Sequence, residues 1–109
     1  EAMARDSATP LSQMRADGGA SANEFLMQFQ ADIVARTIRR PMIRETTALG
    51  AAYLAGLAVG FWSGRDEIRA LRQTDRLYQP GMDGNTRERL LRGWHKAVGR
   101  SLNWAEPQD

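Results

Sequence analysis

The stretch Met14-Arg15-Ala16-Asp17-Gly18-Gly19-Ala20-Ser21-Ala22-Asn23-Glu24-Phe25 holds the residue types in this chain whose spacing could bind a ligand. An extended run stops at a glycine pair, and a capped helix starts at once. Two glycines can take backbone conformations closed to other residues and let a flat molecule approach the main chain. The helix start offers unpaired N–H groups and the positive end of its dipole. That pairing makes a ready nucleotide-binding corner. The same residues also suit a plain tight turn, and the local pattern leaves both readings open.

No catalytic constellation accompanies the corner. The chain has no phosphate loop with its lysine and no His and carboxylate partner for a serine, and its carboxylates are scattered rather than paired. The lone His95 stands next to Trp94 with no acid or metal ligand at useful spacing, and we read it as structural. Cysteine is absent, which excludes a disulfide framework and a thiol nucleophile and fits a reducing cytosol. No charged-then-apolar secretory signal opens the sequence. The opening Glu1-Ala2-Met3-Ala4-Arg5 reads as the tail of a helix, and we expect the chain to be a piece of a longer polypeptide.

The chain is long enough for one domain with a modest core. Its net charge is only +2, carried almost wholly by arginine, with Lys96 the single lysine. Arginines gather at Arg36, Arg39, Arg40 and Arg44 and again, with Lys96, at Arg87, Arg89, Arg92 and Arg100. No aromatic platform or recognition-helix pattern accompanies the first cluster, so it reads as a solvated face rather than a nucleic-acid surface.

The elements that position the corner follow from periodicity. Asp6 to Pro10 is a turn, and Leu11 to Ala16 is a short strand. Ser21 can cap the following helix, with Glu24 reaching back in a capping box. Phe25, Leu26, Phe29 and Ile33 recur at helical spacing and should bury one face, leaving Gln28, Asp32 and Arg36 outside. Thr37 to Arg40 is β-favouring and runs into Pro41, so Leu11 to Arg40 forms a strand, helix, strand unit, which is normally a parallel crossover.

From Thr46 to Gly64 nothing is charged, and Gly56 and Gly60 match a small-residue motif of packed membrane helices. Against a membrane span, the apolar part is short of the ~20 residues required and is built from Ala and Gly. A small-residue helix lying close to a sheet explains it as well. Arg65 to Leu71 suits a brief helix with Asp66 and Glu67 in its first turn. Asp75 to Gln79 is extended, and Pro80-Gly81 turns the chain. Asn85 should cap a last helix with Leu90, Leu91, Trp94, Ala97, Val98 and Leu102 on its buried side, and Glu106 to Asp109 forms a polar tail. The residues alone give an α/β domain of short strands with packed helices and a possible nucleotide corner.

From Leu11 onward, the run Arg15 to Ile33, the run Glu45 to Trp62 and the closing Gly93-Trp94-His95-Lys96-Ala97-Val98 resemble the C-terminal end of bacterial glycerol kinases, within the wider FGGY carbohydrate-kinase family. The resemblance covers nearly the whole chain, and the first ten residues match loosely. It implies that residues 1–109 are the C-terminal portion of a second, actin-like (ribonuclease-H-like) ATPase domain. The parent enzyme would then be a cytoplasmic homo-oligomer that phosphorylates glycerol to glycerol 3-phosphate with ATP and Mg2+, without nucleic-acid or membrane partners.

In that family the Asp-Gly-Gly corner is the adenosine motif. Carried over, the main chain at Gly18 and Gly19 would lie against the nucleoside, Asn23 would contact the nucleotide, and Ala20 would wall the same pocket. The family's usual second asparagine is Glu24 here, expected to serve the capping box and face away from the phosphates. The family's glycerol-binding arginine, glutamate and tyrosine, its general-base aspartate, its magnesium site and its phosphate-holding threonines belong to the upstream part, so this chain holds no catalytic residue. Some enteric relatives bind a regulatory protein after the Pro-Gly turn; Met82-Asp83-Gly84-Asn85 departs from that pattern, and the site is not carried over. Other readings are a related kinase with another polyol or sugar substrate, a stand-alone arginine-rich binding module, betrayed by salt-dependent nucleic-acid binding, and a membrane-associated protein anchored through Ala48 to Trp62.

Overall fold

β-branched Thr37 and Ile38 followed by two arginines and a proline form the central strand of a three-stranded sheet. A computed structural model describes Arg5, Asp6 and residues 10–105. Its elements in order are β1 (Gln13–Arg15), a 3₁₀ turn (Gly19–Ala22), α1 (Glu24–Val34), β2 (Thr37–Pro41), α2 (Thr46–Ala58), α3 (Arg65–Ala70), β3 (Thr74–Tyr78) and α4 (Gly84–Ser101). The expected tail of a helix at Glu1 to Arg5, the turn before Pro10 and the polar tail at Glu106 to Asp109 fall largely or wholly outside the described residues.

The strand order is β1-β2-β3. β1 runs parallel to β2 with Met14 opposite Ile38 and Arg15 opposite Arg39, so the unit β1, α1, β2 is the parallel crossover that the spacing predicts. β3 runs antiparallel to β2, and the register slips between Arg40 and Pro41, where proline has no N–H to give the ladder. Period-two alternation sends Ile38 and Arg40 to one face of the sheet and Arg39 to the other.

α1 covers the first face. Met27 and Ala31, one turn apart, meet Ile38 and Tyr78 in the core, with Leu26 and Ala16 packed at its edge. The buried stripe is therefore rotated from the expected one: Phe25 is 78% exposed and stacks on Phe29 with ring centroids 6.0 Å apart. The helix also starts later than the capping-box reading requires, at Glu24.

α2 ends in a Schellman motif, with Gly60 in the left-handed region and the amides of Phe61 and Gly60 donating to Gly56 and Leu57. The Trp62 indole folds back over Gly56, where a Cβ would collide with its ring, and meets Tyr53 edge-on. Close approach of Trp62 is what Gly56 permits. Among the described residues no helix is long and apolar enough to cross a membrane. α4 is capped by Asp83, whose carboxylate accepts from the Thr86 amide at 2.9 Å, rather than by Asn85. Much of its expected buried side is open: Trp94 is 65% and Leu102 66% exposed, and among the described residues α4 packs chiefly on α1. The radius of gyration, 18.7 Å, accordingly exceeds the ~13 Å of a compact chain of this size.

Asp32 joins α1 to the turn before α4, its carboxylate accepting from the amides of Gly81 at 2.7 Å and Met82 at 3.2 Å and from Gln28 at 3.1 Å. The Gly81 amide, against an opposing push from burial and with help from Gln28 and Met82, holds this carboxyl below the ordinary aspartate range. A depressed carboxyl stabilises the fold above its unfolded-state value, and that contribution is lost as pH falls through the folded value. Asp32→Asn, which mimics the protonated acid, should therefore cost about 1 kcal/mol at pH 7, and the difference should vanish in acid. Unfolding curves of the two proteins between neutral and strongly acidic pH check this.

Candidate functional site

The corner between β1 and α1 is built by two glycines in different states. Gly18 has φ 83° and ψ 176°, a combination essentially restricted to glycine. Its amide donates to the Arg44 carbonyl at 2.9 Å, and its carbonyl accepts from both the amide and the hydroxyl of Ser21, at 3.1 and 2.7 Å. Gly19 and Ala20 follow on the exposed outer side of the 3₁₀ turn. A Cβ at either glycine would meet no atom within 4 Å, so the main chain there faces open space.

The helix is capped one step later than the sequence pattern suggests. Asn23 is its N-cap, Oδ1 accepting from the Leu26 amide at 3.0 Å. Ser21 lies inside the 3₁₀ turn, buried, with its hydroxyl spent on Gly18. The capping box of Ser21 and Glu24 is thus not formed, because the turn Gly19–Ala22 separates Ser21 from the helix. Gly18, Gly19, Ala20 and Asn23 are nonetheless brought together on one short surface, with the Asn23 amide nitrogen outside the cap bond.

Glu24, the acid at the mouth of this corner, is engaged by two cations. Arg76 donates to Oε2, and Arg40 lies 3.6 Å from Oε1. Arg40 itself is buried, its side chain 8% exposed. Its Nε and Nη2 reach Asp75 Oδ2 at 2.9 and 2.8 Å, and its Nη1 donates to the Ser21 carbonyl at 3.1 Å. The Tyr78 ring lies 5.6 Å from the guanidinium carbon of Arg40 and 5.3 Å from that of Arg76. The solvated face expected of Arg36, Arg39, Arg40 and Arg44 therefore loses Arg40 to the interior. The signal was its spacing: Arg40 lies two residues after Ile38 on a strand and so shares the core face.

A cleft of about 570 Å³ lies between the second face of the sheet and α2, lined among others by Arg15, Asp17, Arg39, Ile43, Tyr53 and Arg72. It touches the corner at Asp17, while Gly18, Gly19, Ala20 and Asn23 stand outside it. Among the described residues no three His, Asp or Glu side chains group to hold a metal ion.

A profile of the FGGY family of carbohydrate kinases, C-terminal domain, matches residues 1–59. The chain is 58% identical over 106 residues to a glycerol kinase of Caldanaerobacter subterraneus subsp. tengcongensis, covering 97% of this chain and 21% of that protein. It is 54% identical over 109 residues to a glycerol kinase of Alkaliphilus oremlandii, covering 100% of this chain and 22% of that protein. Among solved structures, Plasmodium falciparum glycerol kinase with ADP superposes with a TM-score of 0.76 at 37% identity, over 92% of this chain and 20% of that one. A ligand-bound xylulose kinase from Lactobacillus acidophilus gives 0.73 at 23% identity over 87% and 20%, a likeness of fold. The chain spans about a fifth of the length of the curated relatives it matches. With a matching profile over more than half its residues, the chain belongs to the FGGY family of carbohydrate kinases.

Proposed function

We propose that the chain supplies the adenosine-binding side of a kinase that transfers the γ-phosphoryl group of ATP to glycerol, giving glycerol 3-phosphate. The observation that carries this reading is the corner itself: Gly18 in a glycine-only conformation, then Gly19 and Ala20 exposed with open space above the main chain. A flat heterocycle can lie against such a surface at van der Waals distance. The relatives named glycerol kinase, which match nearly the whole chain, and the solved relative whose description names ADP support the assignment of nucleoside and acceptor.

Each residue of the corner has a task in this reading. Gly18 sets the bend and Gly19 gives the approach. Ala20 walls the pocket, and Asn23 offers its side-chain amide nitrogen to the nucleotide while its oxygen caps α1. Glu24, held by Arg76 and Arg40, is kept from repelling the phosphates. Residues 1–109 then form part of the second, nucleotide-binding domain of the parent enzyme. The rest of that enzyme covers the open sides of α2 and α4 and carries the glycerol site, the catalytic base and Mg2+, which would neutralise phosphate charge during transfer. We place the parent in the cytoplasm, as a homo-oligomer.

Two substitutions separate the roles of the glycines in the complete polypeptide. Gly18→Ala forces a side chain into a glycine-only conformation and should destabilise the fold by about 1–3 kcal/mol. Gly19→Ala meets no protein atom, so its melting temperature should hold while its KM for ATP rises about tenfold and its KM for glycerol stays put. An unchanged KM for ATP in Gly19→Ala, or a polyol other than glycerol used in preference by the wild type, contradicts the assignment. Residues 1–109 alone should show no glycerol phosphorylation above a blank in a coupled assay, because transfer needs groups outside them.

A further inference from the structure

A four-residue 3₁₀ turn that begins on the second of two glycines is only weakly held by its own bonds. Such turns are short and poorly bonded, and glycine surrenders the most backbone freedom on folding. Beside the bonds of Ser21 to Gly18, two tethers reach the corner from the end of β2 and the residues just after it. The Arg44 carbonyl takes the Gly18 amide at 2.9 Å, and Arg40 Nη1 donates to the Ser21 carbonyl at 3.1 Å. Ser21 is 1% exposed, so its carbonyl sits where a missing donor would be expensive.

Arg40 is a costly way to make that bond if stability were its whole purpose. Its charge is buried while the Asp75 carboxylate is 39% exposed, and the cost of taking the cation out of water offsets much of what the pair gains. What the guanidinium offers is shape. Nε and Nη2 face Asp75 Oδ2 while Nη1 points to Ser21, so one planar group bridges β3 to the turn. A lysine ammonium, a single point on a flexible stem, could satisfy one end of this bridge and not both. The same Nη2 also approaches Glu24 in the first turn of α1, at 3.6 Å. The fixed fork therefore touches the sheet, the turn and the helix start together.

We infer that Arg40 is a positioning residue for nucleotide binding: it holds the Ser21 carbonyl, and through it the outer edge of the corner at Gly19 and Ala20, in the orientation that the nucleoside meets. It does not touch the ligand itself. The inference rests on the reading that this corner seats the nucleoside.

The test uses the complete polypeptide and three variants, Arg40→Gln, Arg40→Lys and Asp75→Asn, with steady-state kinetics, direct ADP binding and melting temperature. Arg40→Gln should weaken ADP binding and raise KM for ATP about tenfold, with KM for glycerol within about twofold. Arg40→Lys keeps a buried cation for Asp75 and should fold even where Arg40→Gln does not; its KM for ATP should still rise about threefold or more. Asp75→Asn loosens the ion pair and leaves the Ser21 bond, so it should lower the melting temperature while KM for ATP stays within about twofold.

Folded Arg40 variants with unchanged ADP affinity overturn the inference, as does an Asp75→Asn variant that loses ADP as severely as Arg40→Gln. A wild type that binds ADP but phosphorylates another polyol refutes the glycerol assignment, and the comparison of ADP affinities then still decides the role of Arg40. A wild type that binds no ADP overturns both.

Discussion

The guanidinium of Arg40 lies between the sheet and the loop that precedes α1, and the arrangement of this chain depends on how that charge is accommodated. It needs anions, and three acceptors from three separate segments converge on it: Asp75 from β3, Glu24 from α1 and the Ser21 carbonyl from the turn. The apolar contacts lie on the same face of β2. Met27 and Ala31 pack with Ile38 and Tyr78, and the Tyr78 ring lies against the Arg40 guanidinium. The small core and the polar cluster are two halves of one packing, since Ile38 and Arg40 share a strand face.

Much of this was legible in the residues. The parallel unit of strand, helix and strand follows from β-favouring Thr37 and Ile38 set after an amphipathic segment, and the short strands and packed helices of the α/β class follow with it. A turn between strand and helix was legible in the glycine pair, which suits a tight turn as well as a ligand corner. The cap was misplaced for a physical reason: Ser21 and Glu24 have capping-box spacing, but Asn23 is the equally good cap that leaves room for a 3₁₀ turn, and Ser21 gains a better bond to Gly18. Likewise Asp83 and Asn85 are both good caps, and the earlier one wins the Thr86 amide.

Burial was harder to read than element type. The apolar side of α4 obeys the helical period and α2 is small and apolar all round, yet Leu54, Trp94 and Leu102 are exposed. Periodicity states which side of a helix seeks cover and is silent on whether cover is present. The chain spans about a fifth of its relatives' length, and in the larger enzyme proposed for it further layers would meet those sides. The converse holds for Arg40. Composition classes arginine as a surface residue, whereas its place two residues from Ile38 on a strand commits it to the interior unless the strand ends first.

The central claim is that a nucleoside lies on the main chain of Gly18 and Gly19. The most direct measurement is a crystal structure of the complete polypeptide with ADP bound. The nucleoside should lie against Gly18 and Gly19, with Ala20 at its edge and the Asn23 amide nitrogen within hydrogen-bonding distance of the nucleotide. A nucleotide seated instead in the cleft between the sheet and α2, away from Gly19 and Asn23, would contradict it.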